Sequence, residues 1–227
     1  MARLWLFQAK GAAGWLKWAR VEAFSIAFVC TGNRFRSPLA EAFVQRLTYE
    51  LPVTVGSYGT LPLENAAPLP EAVEIALWYG ISLSEHRTRY LNNASLEDVD
   101  LLLGFEPAHI QQAVVDAQAP RERSFTLRDF VSLLPAAAGP AARDEDVVER
   151  ARALVAAAGV RFAEFSKPAM SVTRDPFGGP WRLYRQTASD IRDLSVTLVE
   201  RLFGVADVHG LPPIPRKLGR ARKTLWR

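Results

Sequence analysis

The organisation of this chain follows from one stretch, Cys30-Thr31-Gly32-Asn33-Arg34-Phe35-Arg36-Ser37-Pro38. The apolar run before it, residues 23–29, is typical of a short buried strand. The run after it, residues 39–47, has the spacing of an amphipathic helix, and Pro38 suits the start of such a helix. The chain therefore passes from a strand through a tight polar loop into a helix, and its only cysteine ends the strand. In a parallel α/β sheet, ligands bind at that end.

The spacing within the loop suits the binding of a phosphate dianion. The five residues between Cys30 and Arg36 can curl so that their N–H groups face one concavity, and the helix adds the positive end of its dipole. The fork of Arg36 can hold two phosphate oxygens. The same positive field favours the thiolate of Cys30, which would attack as a nucleophile, and Ser37 can donate its hydroxyl to the departing sulfur. A lone cysteine is often only a small buried hydrophobe, but this context predicts a catalytic one.

The rest of the chain alternates strands with helices. Such alternation, without internal repeats, implies a four-stranded parallel sheet with helices on both faces. Further strands are predicted at residues 51–57, 99–104 and 123–127, and further helices at 69–79, 107–117, 144–158 and 181–203.

The loop and its flanks, residues 29–41, resemble the phosphate-binding loop of the low-molecular-weight protein tyrosine phosphatases. The resemblance continues in the family's order through residues 56–60, 80–89 and 175–179, and covers roughly residues 22–205. It implies a three-layer, doubly wound fold with strand order 2-1-3-4 and the phosphate-binding loop after the first, central strand.

The same resemblance implies roles for individual residues. Asp175 would be the general acid and base, and Phe177 would form a wall for the phenyl ring of the substrate. Asn33, Ser57 and His86 would brace the loop through hydrogen bonds. The loop residues expected at the substrate, beside the catalytic Cys30 and Arg36, are Thr31, Gly32, Asn33, Arg34, Phe35 and Ser37.

Two loop positions depart from the family pattern. Phe35 stands where family members often carry a second cysteine, which can form a protective disulfide with the nucleophile. We therefore expect peroxide to oxidise Cys30 without an internal disulfide to rescue it. Arg34 occupies a position that is commonly apolar, where it would widen the basic rim and favour acidic substrates or pair with an acid of the domain.

Composition limits the other classes of function. Hydrophobic residues make up 49% and charged residues 23% of the 227-residue chain, values typical of a soluble globular protein. Histidines 86, 109 and 209 have no ligand-like spacing, and neither a dinucleotide fingerprint nor a Walker-type loop is present. We expect no metal and no cofactor. A single cysteine that must stay reduced predicts a cytoplasmic protein.

The two ends are basic, unlike the middle. Residues 1–20 carry four cations and residues 211–227 six, with no acid in either segment. Subtracting these ten charges from the net +4 leaves −6 for the middle. We divide the chain into a Trp-containing extension (1–20), the phosphatase-like domain (21–205) and a Pro-containing basic tail (206–227).

These extensions and one long connection have open roles. The extension either packs its tryptophans on the domain or lies on an anionic surface, and the ends would give at most weak membrane-surface contact and no specific nucleic-acid binding. No apolar run is long enough to span a membrane. Residues 128–172 read as a structural insertion at the edge of the domain, or alternatively as a cover over the site. Residues 211–215 read as an extended linker.

The leading interpretation is a protein tyrosine phosphatase that forms a phosphocysteine intermediate. An arsenate reductase that uses an external low-molecular-weight thiol is the alternative on the same fold, and a non-catalytic phosphate-binding module is the alternative of another class. The resemblance suggests bacterial members whose phosphotyrosine substrates include tyrosine kinases of polysaccharide synthesis.

Overall fold

The structure is a computed structural model. It describes residues 23–135, 147–164, 171–204 and 211–214. The predictions for the N-terminal extension, for the basic tail beyond residue 214 and for parts of the 128–172 connection lie outside these residues.

Four strands and six helices are described, in an order that alternates as the sequence predicts. The strands are β1 (Phe24–Cys30), β2 (Val53–Gly59), β3 (Leu101–Gly104) and β4 (Ser124–Thr126). The helices are α1 (Arg36–Leu47), α2 (Pro70–Trp78), α3 (Pro107–Asp116), α4 (Leu127–Leu133), α5 (Val147–Glu164) and α6 (Trp181–Phe203).

The strands form one parallel sheet in the order β2-β1-β3-β4, which confirms the predicted fold class and order. The register pairs Cys30 with Gly59 and Val29 with Gly104, while Gly104 pairs with Thr126. The carboxyl ends of all four strands therefore meet at one edge of the sheet. The loop that leaves β1 lies at the centre of that edge.

Strand β1 is buried on both faces because its side chains alternate between two cores. Phe24, Ile26 and Phe28 point into the larger core, formed with α1, α2, α5 and α6, whereas Ala27 and Val29 point into a smaller core under α3. Burying each large side chain contributes about 1.5–3 kcal/mol. This double burial fixes the position of the strand that ends in the cysteine.

Two segments differ from the sequence-based expectation. Helix α4, which was not predicted, follows β4 without a loop, and the hydroxyl oxygen of Thr126 caps it by accepting from the N–H of Asp129 at 3.2 Å. The expectation of an insertion at the domain's edge is wrong for α5. Its buried positions, Val148, Ala151, Val155 and Ala158, have helical spacing and join the larger core.

The extended linker predicted from residue 211 is also wrong in its first part. Leu211 is fully buried, its carbonyl oxygen accepts from the guanidinium of Arg192, and Ile214 packs against the larger core. Residues 211–214 therefore belong to the folded domain. Among the described helices, none combines the length and apolarity that crossing a bilayer requires.

Candidate active site

The Cys30 loop, residues 30–36, carries the predicted nucleophile at its base. Cys30 is 3% exposed, and its sulfur lies 3.0 Å from Ser37 Oγ. That hydroxyl oxygen already accepts a hydrogen bond from Asn33 Nδ2 at 2.9 Å. The Ser37 proton can therefore point at the sulfur, which as a thiolate can only accept, and the Tyr58 carbonyl oxygen at 3.4 Å is the more distant alternative. The sequence prediction for Ser37 fits this geometry.

Asn33 holds the shape of the loop. It is fully buried in the left-handed conformation, with φ of 49°, which asparagine tolerates better than most residues. Besides Ser37, its Nδ2 donates to Ser57 Oγ at 2.8 Å, and its Oδ1 accepts from the Arg89 N–H at 2.9 Å. Its carbonyl oxygen lies 2.9 Å from His86 Nε2, so that ring nitrogen carries the proton.

The brace predicted from Ser57 and His86 is thus present, and it extends further than the sequence indicated. Ser57 donates to Glu41 on α1, and Glu41 pairs with Arg89 at 3.1 Å. Burial lowers the pKa of His86, which keeps its ring neutral. A network of side chains from three segments therefore fixes the backbone of the Cys30 loop.

Arg36 begins helix α1 and is 1% exposed, yet it carries a full charge. Its Nη1 donates to Glu106 Oε1 and to the Thr173 carbonyl oxygen. Its Nη2 donates to Thr31 Oγ1 at 3.0 Å and to Asp175 Oδ2 at 2.5 Å. Two carboxylates thus offset the desolvation of this buried cation. Four of its five N–H groups are occupied, which leaves Nε.

Asp175, the predicted general acid, lies beside the Cys30 loop although it is 139 residues from Arg36 in the chain. Its side chain is 39% exposed, and its Oδ1 accepts from the Phe177 N–H at 3.1 Å in a tight turn. Gly178 continues the turn with φ of 73°. The Phe177 ring is 71% exposed, free to face a ligand. The structure therefore brings together Cys30, Arg36 and Asp175.

The side chains of Phe35 and Arg34, two of the loop residues predicted at the substrate, lie in different surroundings. Phe35 is 3% exposed and its ring packs against Tyr184 at a centroid distance of 5.1 Å, so its side chain belongs to the core and only its backbone can face a ligand. Arg34 is half-buried, and its Nε donates to the Ala67 carbonyl oxygen at 2.8 Å. The guanidinium of Arg34 is thus held at the rim. Among the described residues no acid pairs with Arg34, so the structure does not show the ion pair that was one of its two expected roles.

Sequence reasoning missed Glu106 and His109. Both follow β3 at the edge of the sheet that carries the Cys30 loop, and His109 Nε2 lies 3.1 Å from Thr31 Oγ1. Burial, and then the charge of Arg36, lower the pKa of His109 to about 4. Their position after β3 could have indicated them, because polar side chains that follow a buried parallel strand lie at the same edge of the sheet as the Cys30 loop.

Chemically, this arrangement offers a buried sulfur with a hydroxyl donor, a buried cation and an accessible carboxylate at the carboxyl end of β1. Those are the groups that transfer of a phosphoryl group to sulfur requires. Within the described residues, no group of three or more His, Cys, Asp or Glu side chains is placed to hold a metal ion.

Comparison with known proteins agrees with this geometry. The profile of the family described as Low molecular weight phosphotyrosine protein phosphatase matches residues 25–163, a range that includes most of α5. A protein-arginine-phosphatase from Bacillus subtilis (strain 168) is 28% identical over 179 residues, which are 78% of this chain and 95% of that protein. The low molecular weight protein-tyrosine-phosphatase Etp from Escherichia coli (strain K12) is 36% identical over 110 residues, 48% of this chain and 71% of its own.

A solved structure has a similar fold. The crystal structure of a YwlE mutant from Bacillus subtilis is similar with a TM-score of 0.58 at 27% identity, over 79% of this chain and 99% of that one.

Proposed function

The chain belongs to the low molecular weight phosphotyrosine protein phosphatase family, and from this premise we propose that it hydrolyses phosphotyrosine in proteins through a phosphocysteine intermediate. The observation that carries the proposal is the meeting of three groups at the end of β1. Cys30 lies 3.0 Å from the Ser37 hydroxyl, and Arg36, buried behind the same loop, contacts Asp175 at 2.5 Å. A module that only bound phosphate would need neither a nucleophile nor an acid.

Substrate binding begins with an exchange at Arg36. The phosphate dianion enters the concavity of the Cys30 loop, accepts from its backbone N–H groups and from Nε of Arg36, and takes the place of Asp175 on Nη2. Asp175 loses its cationic partner and gains an anionic neighbour. Both changes favour the protonated carboxyl group, which is the form a general acid needs.

The first chemical step moves the phosphoryl group to sulfur. The Cys30 thiolate forms the S–P bond as the P–O bond to the tyrosine ring breaks, and Asp175 gives its proton to the departing phenolate oxygen. The charge that develops on the equatorial oxygens meets the guanidinium of Arg36 and the N–H groups of the loop.

The second step releases phosphate. Asp175, now a carboxylate, takes a proton from water as the water oxygen attacks phosphorus and the S–P bond breaks. The Ser37 hydroxyl stabilises the departing thiolate by donating to it, a role that the hydrogen bond from Asn33 prepares. The products are inorganic phosphate and the regenerated thiolate.

The mouth of the site favours an aryl group. Phe177 and Leu61 are exposed apolar side chains on segments that flank the Cys30 loop, since Phe177 lies two residues from Asp175 and the Leu61 N–H donates to the Thr31 carbonyl oxygen. Together they offer apolar walls to a phenyl ring. The cation of Arg34 at the rim favours acidic residues next to the phosphotyrosine.

Phosphoarginine is a second candidate substrate. The relative named as a protein-arginine-phosphatase aligns over 95% of its length. The pair of carboxylates at the site, Glu106 and Asp175, would also suit a guanidinium group. In that case Asp175 would protonate the departing nitrogen.

Hydrolysis of matched phosphotyrosine and phosphoarginine peptides by the full chain tests the proposal. We expect a higher kcat/KM on phosphotyrosine, with Cys30→Ser abolishing turnover and mass spectrometry after acid quench detecting a phosphoryl group on the wild-type protein. A higher kcat/KM on phosphoarginine would select the second candidate. Folded wild-type protein that hydrolyses neither peptide would refute both.

The role of Arg34 has its own test. Arg34→Leu should lower kcat/KM on acidic phosphotyrosine peptides about fivefold, and less on neutral ones, because one rim charge typically contributes about 1 kcal/mol or less. Equal losses on the two peptides would remove the proposed preference for acidic substrates.

A further inference from the structure

His109 makes two hydrogen bonds that fix its protonation. It is 2% exposed in the first turn of α3, and its Nδ1 lies 3.2 Å from the backbone N–H of Phe105. A backbone N–H only donates, so Nδ1 must be the unprotonated acceptor. The proton of the neutral ring is therefore on Nε2, and that nitrogen donates to Thr31 Oγ1 at 3.1 Å.

The hydrogen bonds that Thr31 accepts consequently fix the direction of its hydroxyl proton. The oxygen of a threonine hydroxyl offers two lone pairs and one proton. One lone pair accepts from His109 Nε2 and the other accepts from Arg36 Nη2 at 3.0 Å. The hydroxyl proton must then point away from both donors. Because Thr31 follows Cys30 directly and is half-exposed, this proton is available to a ligand of the Cys30 loop.

The oxygen that Thr31 would meet is defined by the exchange at Arg36. Nη2 of Arg36 contacts both Thr31 Oγ1 and Asp175 Oδ2. The two contacts use different N–H groups of Nη2, so a phosphate whose oxygen replaces Asp175 on this nitrogen can bring a neighbouring oxygen toward the Thr31 hydroxyl. With His109 in place, that hydroxyl can only donate to it. Without His109, the proton can turn into the vacated space or toward water.

We propose that His109 is a positioning residue. Its hydrogen bond to Thr31 orients the Thr31 hydroxyl so that it donates to the phosphoryl oxygens of the substrate. The inference rests on the proposed phosphatase function. The charged groups around His109 are Arg36, Glu106 and Asp175. Burial and then Arg36 lower the pKa of His109 to about 4, although the two carboxylates raise it. The ring thus remains neutral, with Nε2 as a donor, at any pH between 5 and 8, a rough window for assays of this chemistry.

A double-mutant cycle tests this role. Thr31→Val should lower kcat/KM roughly tenfold to a hundredfold, because one donor to the developing charge is lost. His109→Leu should lower it roughly tenfold, and His109→Gln, whose amide can donate from a similar place, should recover most of that loss. The double variant Thr31→Val/His109→Leu should match Thr31→Val within about a factor of two. Losses that multiply instead would overturn the proposal.

Two controls separate this role from a structural one. Thr60→Val removes a hydroxyl outside the His109–Thr31–Arg36 chain and should leave kcat/KM within about twofold. Thermal unfolding identifies variants that fail to fold. If His109→Leu does so, His109→Phe, which also lacks a donor, takes its place in the cycle, and losses that multiply with Thr31→Val would again overturn the proposal.

The affinity for inorganic phosphate, measured by calorimetry, does not depend on turnover. We expect weaker phosphate binding by Thr31→Val and by His109→Leu, with His109→Gln close to wild type. If the wild type hydrolyses no substrate, the proposed function fails while this binding series still tests His109. Unchanged phosphate affinity in a folded His109→Leu protein would overturn the proposal even if hydrolysis is robust.

Discussion

Replacing Asp175 with asparagine should tighten the binding of a phosphate-like oxyanion while it slows hydrolysis. In the structure the Asp175 carboxylate occupies Nη2 of Arg36, the position that we assign to a phosphate oxygen. An incoming dianion must therefore displace a carboxylate and then tolerate its negative charge nearby. Asparagine has nearly the same shape but no charge, so it removes both penalties.

The magnitude follows from the exposure of the pair. Arg36 is 1% exposed and Asp175 is 39% exposed, so water screens one partner but not the other. Exposed ion pairs contribute about 0–1 kcal/mol, and charge-assisted hydrogen bonds about 1.5–3 kcal/mol. An intermediate value of about 1–2 kcal/mol is therefore expected for the cost of displacing the Asp175 carboxylate from Arg36. Without this cost, Asp175→Asn should bind tungstate about 5- to 30-fold more tightly than the wild type. Loss of the general acid should lower kcat on phosphotyrosine about a hundredfold or more.

Calorimetric titration with tungstate near pH 7, alongside steady-state kinetics, measures both effects. Asp193→Asn is the matched control, because Asp193 pairs with Arg192 on the surface of α6 and its loss changes the net charge equally. That control should leave the affinity for tungstate and kcat unchanged. Equal or weaker tungstate binding by Asp175→Asn would refute the idea that Asp175 and phosphate compete for Arg36.

Three further predictions concern the support of the loop, the buried histidine and the cysteine. Gly59→Ala should reduce kcat/KM and destabilise the fold by about 1–3 kcal/mol, because its Cβ would lie within 3.1 Å of two backbone atoms of the Cys30 loop. Gly56→Ala, whose Cβ would meet only side-chain atoms at 3.7 Å or more, is its control in denaturant unfolding and should change little. Folding lowers the pKa of His109 from 6.5 to about 4, so as the pH falls the unfolded chain is protonated at His109 before the folded protein is. The free energy of unfolding of the wild type should therefore decline as the pH falls from 6.5 to about 4. In unfolding curves across that window, His109→Gln should flatten the decline by up to about 1.4 kcal/mol per pH unit, and an unchanged slope would contradict the assignment. Prolonged peroxide should inactivate the enzyme beyond recovery by dithiothreitol, because Cys30 is the only cysteine; full recovery would contradict this.

The sequence carried enough information to predict the sheet and the centre of the site. The strand, loop and helix around Cys30 are contiguous, so local pattern and the position of Pro38 define them. These predictions succeeded because each depends on neighbours in the chain.

What the sequence did not reveal depends on distant pairs. Glu106 and Asp175 reach Arg36 across 70 and 139 residues, and no local pattern indicates that Arg36 will pair with two carboxylates in this way. Leu211 looked like part of a linker because proline follows it, but its burial is decided by α6. Helix α4 was missed because it follows β4 with no turn residue between them.

The residue at position 35 affects both the packing of the Cys30 loop and the number of thiols at the site. Its ring packs against Tyr184, and the Tyr184 hydroxyl accepts from the N–H of Gly178 at 3.1 Å, in the turn that carries Asp175. The Cys30 loop and the turn that carries Asp175 therefore both contact Tyr184 on α6. A cysteine at position 35 would supply a second thiol but would remove the ring from that contact, and loss of a buried phenyl ring typically costs about 3–5 kcal/mol. In this chain, position 35 therefore contributes packing against Tyr184 and no second thiol.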